Sequence, residues 1–180
     1  KDNVYGLESN TFTFGDIGTS TSIDATAASQ RKGLRLSYAL TNRSYRHRVM
    51  ATYSTGLIKN SYAFTISGSK RYALGGQIPG SFYDSYAFFV SGTKKFGNKH
   101  ALSLTAFNIN TLRSVNTDAT QAFYDLAQTN YYSPTWGLQG GVERNARMRK
   151  DFIPTGILSY TGKLNDHSEL TAAVSYQTGY

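Results

Sequence analysis

The chain has 180 residues and a formal charge of +8, with only 17% charged side chains, 14% aromatics, 17 Gly, 3 Pro and no Cys. The missing cysteines exclude a disulfide framework and a cysteine-ligated zinc site. Lys and Arg form no run longer than two, as at Lys70-Arg71 and Lys94-Lys95, so the excess charge is not the basic stripe of a nucleic-acid binder.

No stretch approaches the ~18 consecutive apolar residues of a membrane helix. Lys1 to Asn10 is polar and acidic, without the apolar core of a secretory signal, so an exported chain is expected here as a mature or internal portion. The chain is hydrophilic on average, which still permits a transmembrane barrel, because half of each strand faces a polar lumen.

Lys1–Gln30 is rich in Gly, Thr, Ser and Asp with little periodicity, and reads as a linker or edge piece. From Gly33 onward the pattern has period two, and seven strands follow. In Gly33–Leu40, Leu34, Leu36, Tyr38 and Leu40 alternate with Arg35, Ser37 and Ala39. A Thr41-Asn42-Arg43 turn leads to Tyr45–Thr55, where Val49, Ala51 and Tyr53 oppose Arg46, Arg48 and Thr52. Leu57–Asn60 turns into Ser61–Tyr72, with Tyr62, Phe64 and Ile66 against Ala63, Thr65 and Ser67. A Gly-Pro loop, Gly75–Gly80, enters Phe82–Lys95, with Tyr86, Phe88 and Val90 outward. Phe96–Lys99 is a tight turn into His100–Asn110, with Leu102 and Leu104 on one face. After a long insertion come Phe152–Leu164 and, past Asn165-Asp166, Glu169–Tyr180, where Leu170, Ala172, Val174 and Tyr176 share a face. Helical period competes nowhere, and the expected class is all-β in meander order.

Charge is absent where a bilayer would penalise it. No Asp, Glu, Lys or Arg occurs in Val49–Ile58, Asn60–Ser69, Ser85–Thr93, Ala101–Leu112, Phe152–Gly162 or Leu170–Tyr180. Each gap is near the ~10 residues with which a tilted strand crosses the apolar band, where a lipid-facing charge costs roughly 2–4 kcal/mol. At 17% charge a ten-residue window is charge-free about one time in six, so one gap means nothing and six in register carry weight. Lys70, Arg71, Asp84, Lys94, Lys95, Lys163 and Glu169 sit at strand ends, with Tyr, Phe and Trp crowded beside them as interfacial girdles require. A soluble β-sandwich binding module is the alternative, but its solvent face ordinarily carries Lys, Glu or Asp in mid-strand, where this chain has Ser, Thr, Ala and Gly.

The turns after strands two, four and six are short, whereas Ala73–Ser81 and Thr111–Asp151 are long. In outer-membrane barrels short turns are periplasmic and long loops extracellular, which starts strand one on the periplasmic side. Seven strands cannot close a bacterial barrel of even strand number, so the expectation is an antiparallel transmembrane β-barrel segment, one part of a larger barrel.

Four strings carry a family resemblance. QRKGLRLSYALTNRSYRHRVMATYSTG (Gln30–Gly56) resembles the first barrel hairpin of TonB-dependent outer-membrane receptors of the Bacteroidetes kind. GSFYDSYAFFVSGTKKFGNKHALSLTAF (Gly80–Phe107), YDLAQTNYYSPTWG (Tyr124–Gly137) and RNARMRKDFIP (Arg144–Pro154) resemble later parts of the same barrel. The resemblance implies an active outer-membrane importer with an N-terminal plug inside a barrel of about 22 strands. It implies as partners the rest of the barrel and its plug, the TonB–ExbB–ExbD system, lipid and lipopolysaccharide, and it admits a surface lipoprotein. Residues 1–30 would then be the plug-to-barrel junction and residues 31–180 the first part of the barrel, with an extracellular loop at 111–151.

No HExxH, GxSxG, phosphate-binding glycine loop or calcium-loop spacing occurs, so no catalytic residue, metal ligand or cofactor is assigned and the chain is read as a non-enzyme. His47, His100 and His167 lie far apart, the last two beside turns. A rim hydrolase would need His47 and Asp84 in hydrogen-bond reach, and a passive porin is the other barrel alternative. Arg43, Tyr45, Arg46 and Arg48 interleave base and aromatic as a single-strand nucleic-acid groove does, but alternation turns Arg46 and Arg48 to the lumen, and no nucleic-acid partner is expected. Substrate contacts are sought in the long loop, at Tyr131, Tyr132, Trp136 and Arg144, since aromatics stack and Arg pairs with carboxylate or phosphate. The competing reading has these residues pack the loop against itself and its neighbours.

Overall fold

The computed structural model describes residues 2–5, 18–42 and 44–180. β1 (Asp2–Tyr5) and β2 (Thr19–Ser22) form a small antiparallel pair, followed by a single 3-10 turn at Ala27–Ser29. The main sheet uses β3 (Gly33–Leu40), β4 (His47–Ser54), β5 (Tyr62–Ala73), β6 (Tyr83–Phe96) and β7 (His100–Ser114). A long connection holds α1 (Gln121–Ala127) and the hairpin of β8 (Trp136–Gln139) with β9 (Val142–Asn145). β10 (Met148–Phe152), β11 (Thr155–Asn165) and β12 (Ser168–Gln177) complete the sheet. Its order, β12-β11-β7-β6-β5-β4-β3 with β10 also on β7, is an antiparallel meander with β3 and β12 as open edges.

β10 and β11 pair with β7 in one unbroken register and act as a single long strand interrupted at Ile153-Pro154. The interruption is local because Ile153 N still donates to Ile109 O at 3.2 Å, so the β7 side of the ladder loses nothing at proline. The missing N–H of Pro154 falls on the β12 side, where β12 ends at Gln177. The β4–β5 connection turns at Lys59-Asn60, both at positive φ (47° and 51°), with Ser61 N donating to Ile58 O at 2.9 Å, a turn whose twist matches paired strands.

All seven predicted strands are present, and the antiparallel meander matches the sequence reading. Three details differ. β7 runs on to Ser114 and pairs there with β10, so the insertion is shorter than Thr111–Asp151. Arg113 and Asp151 lie on a polar sheet face, where charge does not end a strand. A helix, α1, occurs where no helical period was expected, because seven residues are too few to display one. The Lys1–Gln30 linker reading lies partly outside the described residues, as does Arg43 of the first turn. Where the segment is described it contains β1, β2 and the 3-10 turn. Among the described residues no helix is long and apolar enough to cross a membrane, a statement that does not bear on crossing by strands.

Candidate functional site

Strand alternation gives the sheet two unlike faces. One carries Leu34, Leu36, Tyr38, Val49, Tyr53, Phe64, Ile66, Phe88, Val90, Leu104, Leu158 and Val174, every one exposed. Cross-strand pairing puts Leu34, Tyr53, Ile66, Val90 and Ala106 in one rank, and Phe64, Gly92, Leu104, Leu158 and Val174 in the next. The opposite face is Ser- and Thr-rich, covered along β5, β6 and β7 and exposed on the edge strands β3 and β12. Ser54, Thr65, Ser91 and Thr105 form one rank there, with Thr65–Ser54 and Ser91–Thr105 hydroxyl hydrogen bonds of 3.0 Å. Thr93–Ser103 (3.0 Å), Ser85–Thr111 (2.9 Å) and Thr52–Ser67 (2.6 Å) repeat the device. Such pairs satisfy polar groups across strands without charge.

This burial is inverted relative to a water-soluble domain. Among the described residues the only buried apolar side chains are Ala27, Ala63 and Ala73, while eight buried side chains on the sheet's polar face are Ser or Thr. Part of the cover is the N-terminal segment. Ala27 packs on β5 and β6, and Thr21–Ser29 spans a cleft of about 810 Å³ floored by Thr93, Lys95, Ser103 and Thr105.

The apolar face is bounded by polar and aromatic rims. At the loop end His47, Tyr72 and Asp84 form one rank, with Lys70 paired to Asp84 and lying 3.5 Å from the Tyr86 ring centroid. At the short-turn end Tyr62, Lys94, Leu102 and Tyr160 form another, with Lys94 Nζ 3.5 Å from the Tyr62 ring centroid. His100 Nδ1 and Tyr160 Oη lie 2.7 Å apart at that rim. Asp84 and Lys94 are ten residues apart in β6. That is about 33 Å along a strand and about 25 Å across a layer at a tilt near 40°, the height of a barrel's apolar band.

Beyond the loop-end rim, on the polar face, lies a cleft of about 1070 Å³ lined by residues including Arg46, Tyr83, Arg113, Asn42 and Asn116. Arg48 and Arg71 sit just below it on the same face. Alternation alone gave the facing of Arg46 and Arg48. The approach of Arg71 and Arg113 to them depends on register between strands, which the sequence does not display.

The four loop residues proposed from sequence are not brought together into one pocket. Tyr131 is exposed, and Tyr132 stacks on Phe123 at 6.4 Å. Arg144 is exposed on β9, opposite Gly137. Trp136 packs on the Gly75–Gly80 loop, where a Cβ on Gly80 would lie 2.5 Å from Trp136 Cβ. Asn145 Nδ2 donates to Gly80 O at 3.4 Å, and Gly80 N donates to Glu143 Oε2 at 3.3 Å. Tyr132 thus packs the long connection against its own helix, and Trp136 packs it against the Gly75–Gly80 loop. His47 and Asp84 are separated by Tyr72, and each is engaged elsewhere, His47 with Tyr38 Oη at 2.7 Å and Asp84 with Lys70. No group of three or more metal-ligating side chains occurs among the described residues.

Comparison with family models, with curated proteins and with solved structures finds no match to this chain. The fold is that of an all-β protein built on an open antiparallel meander sheet with one apolar and one hydroxyl-rich face.

Proposed function

We propose that the sheet is a segment of the wall of a bacterial outer-membrane β-barrel, and that the barrel is a TonB-dependent active importer. The apolar face meets lipid, the polar face lines the lumen, and the loops after β3, β5 and β7 are extracellular. One observation carries the reading: a face of exposed Leu, Val, Ile and Phe, free of charge between its rims, backs onto a face of buried, mutually hydrogen-bonded Ser and Thr. Water would favour the reverse, whereas a lipid exterior around a polar lumen requires this arrangement. The importer part rests on the four strings that resemble Bacteroidetes TonB-dependent receptors, and its substrate is open.

The experiment has two arms in cells carrying the intact protein. In fractionation the protein should partition with the outer membrane, and recovery as a soluble periplasmic or cytoplasmic species would overturn the wall reading. For a nutrient taken up by this strain and not by a deletion strain, collapse of the proton gradient should abolish uptake and spare surface binding. Uptake indifferent to the gradient would leave a passive pore and remove the importer.

A further inference from the structure

On the polar face, near the loop end, Arg48 of β4 stands directly opposite Arg71 of β5. Like charges at a directly opposed position destabilise a sheet. Both side chains are half-buried, and the Nε of each is enclosed without a hydrogen-bond partner. The contacts they do make leave the charge uncompensated: Arg48 Nη2 meets Met50 Sδ at 3.3 Å, and the Arg71 guanidinium lies 5.6 Å from the Tyr45 ring centroid. Arg46, two residues from Arg48, and Arg113, opposite Tyr83, line the cleft immediately beyond.

Local carboxylates are committed elsewhere. The rank that begins with Arg48 and Arg71 continues through Ser85 and Thr111 to Asp151, which is held by Arg149 Nε at 2.8 Å. Asp84 lies on the other face, paired with Lys70. Among the described residues no ion pair involves Arg46, Arg48, Arg71 or Arg113.

We propose that Arg48 and Arg71, with Arg46 and Arg113 at the rim, bind a small oxyanion ligand bearing carboxylate or phosphate groups. A guanidinium presents its Nε–H and an Nη–H in one plane, matching two oxygens of either group. An oxyanion between the opposed forks replaces like-charge repulsion by two attractions and supplies acceptors for both enclosed Nε donors. The cleft above leaves room for the remainder of the ligand, with Tyr83, Asn42 and Asn116 on its wall. The inference rests on the outer-membrane reading in one respect only, that the polar face is open to small solutes.

Citrate and inorganic phosphate are the probes, titrated calorimetrically into the purified intact protein at low salt. At least one should bind, with affinity falling as chloride is raised. Arg48→Gln and Arg71→Gln should each weaken binding about tenfold or more, and Arg71→Lys, which keeps charge but loses the planar fork, should weaken it too. Lys70→Gln, on the opposite face, should leave it unchanged. Each Gln variant removes one of two opposed cations, so it should melt no lower than the parent, and the probe should raise the melting temperature of the parent and of Lys70→Gln more than that of Arg48→Gln or Arg71→Gln. Should either variant misfold, exposed Arg46 gives the same comparison, with Arg46→Gln expected to weaken binding about threefold. No binding of either probe, or equal affinity in parent, Arg46→Gln, Arg48→Gln and Arg71→Gln, overturns the site. Neither result alters where the protein fractionates, so failure of the site and failure of the wall reading are distinguishable.

Discussion

Val90 tests the wall reading most directly. It is half exposed on the apolar face, in a rank with Ile66 and Ala106, four residues from Lys94 at one rim and six from Asp84 at the other. In a barrel wall it therefore lies near mid-depth, and Val90→Arg should cost roughly 2–4 kcal/mol, a reduction of about 30- to 900-fold in the folding equilibrium. Val174 is one rank nearer the short-turn rim, opposite Leu158, so Val174→Arg should cost less. Ser175, exposed on the polar face of the same strand, provides the control, and Ser175→Arg should fall within about 0.5 kcal/mol. Thr65 and Ser91 are poorer controls, being buried on the polar face that the Ala27 segment helps to cover. In a water-soluble sheet all three arginines replace side chains already in solvent, and none should matter. Guanidinium unfolding of the intact protein in detergent or lipid, with outer-membrane yield alongside, reads the series. Equal tolerance of Val90→Arg and Ser175→Arg would falsify the wall reading.

Sidedness follows from the meander. A Cys at Thr129, exposed just after α1, should react with an impermeant maleimide on intact cells, whereas Cys at Asn98 or Asp166 should stay protected until the outer membrane is opened; reversed labelling overturns the topology. Gly80 has φ +70° and no room beside Trp136, so Gly80→Ala should destabilise loop docking by on the order of 1 kcal/mol or more. Trp136 is the sole tryptophan, and its emission should red-shift and become more quenchable by acrylamide in that variant; an unchanged spectrum would mean that the contact does not hold the loops. Conversely, Tyr132→Ala should loosen α1 through lost stacking on Phe123 without affecting citrate binding at the arginines; a large loss of binding would return the ligand to the long loop.

The strands were legible because a half-polar sheet writes its period directly into the sequence, and charge-free gaps delimited the same strands independently. Short elements left no such trace: α1 has seven residues, and β1 and β2 have four each. The sequence reading ends this strand at Asn110, whereas β7 continues to Ser114 through Arg113, because a charge on the polar face is tolerated within a strand. The candidate site was legible only in part. Alternation turned Arg48 to the polar side, but its opposition to Arg71 depends on the length and shape of the β4–β5 connection. The contact of Trp136 with Gly80 joins two loops far apart in sequence, and no local pattern encodes it.

The apolar face needs a cover, and its rims discriminate between the candidates. Seven strands about 4.8 Å apart, spanning about 25 Å between rims, present on the order of 700 Å², more than the roughly 300–600 Å² of the largest patch on a typical monomer. A second protein sheet, as in a sandwich, could bury that area. It would have no need of Lys94 over Tyr62 at one height and Lys70 over Tyr86 at the other, with no charge in the ranks between. Cations seated on tyrosine rings at two levels suit a layer that changes from apolar to polar over a few ångströms on each side. Lipid is such a layer, and the rims therefore favour the proposed barrel wall over a second protein sheet. The rims lie on the same face as the exposed Leu, Val and Phe, while the uncompensated arginines lie on the other. On the proposed barrel-wall reading the sheet separates two media, with hydrocarbon against the apolar side and water against the side that carries the arginines.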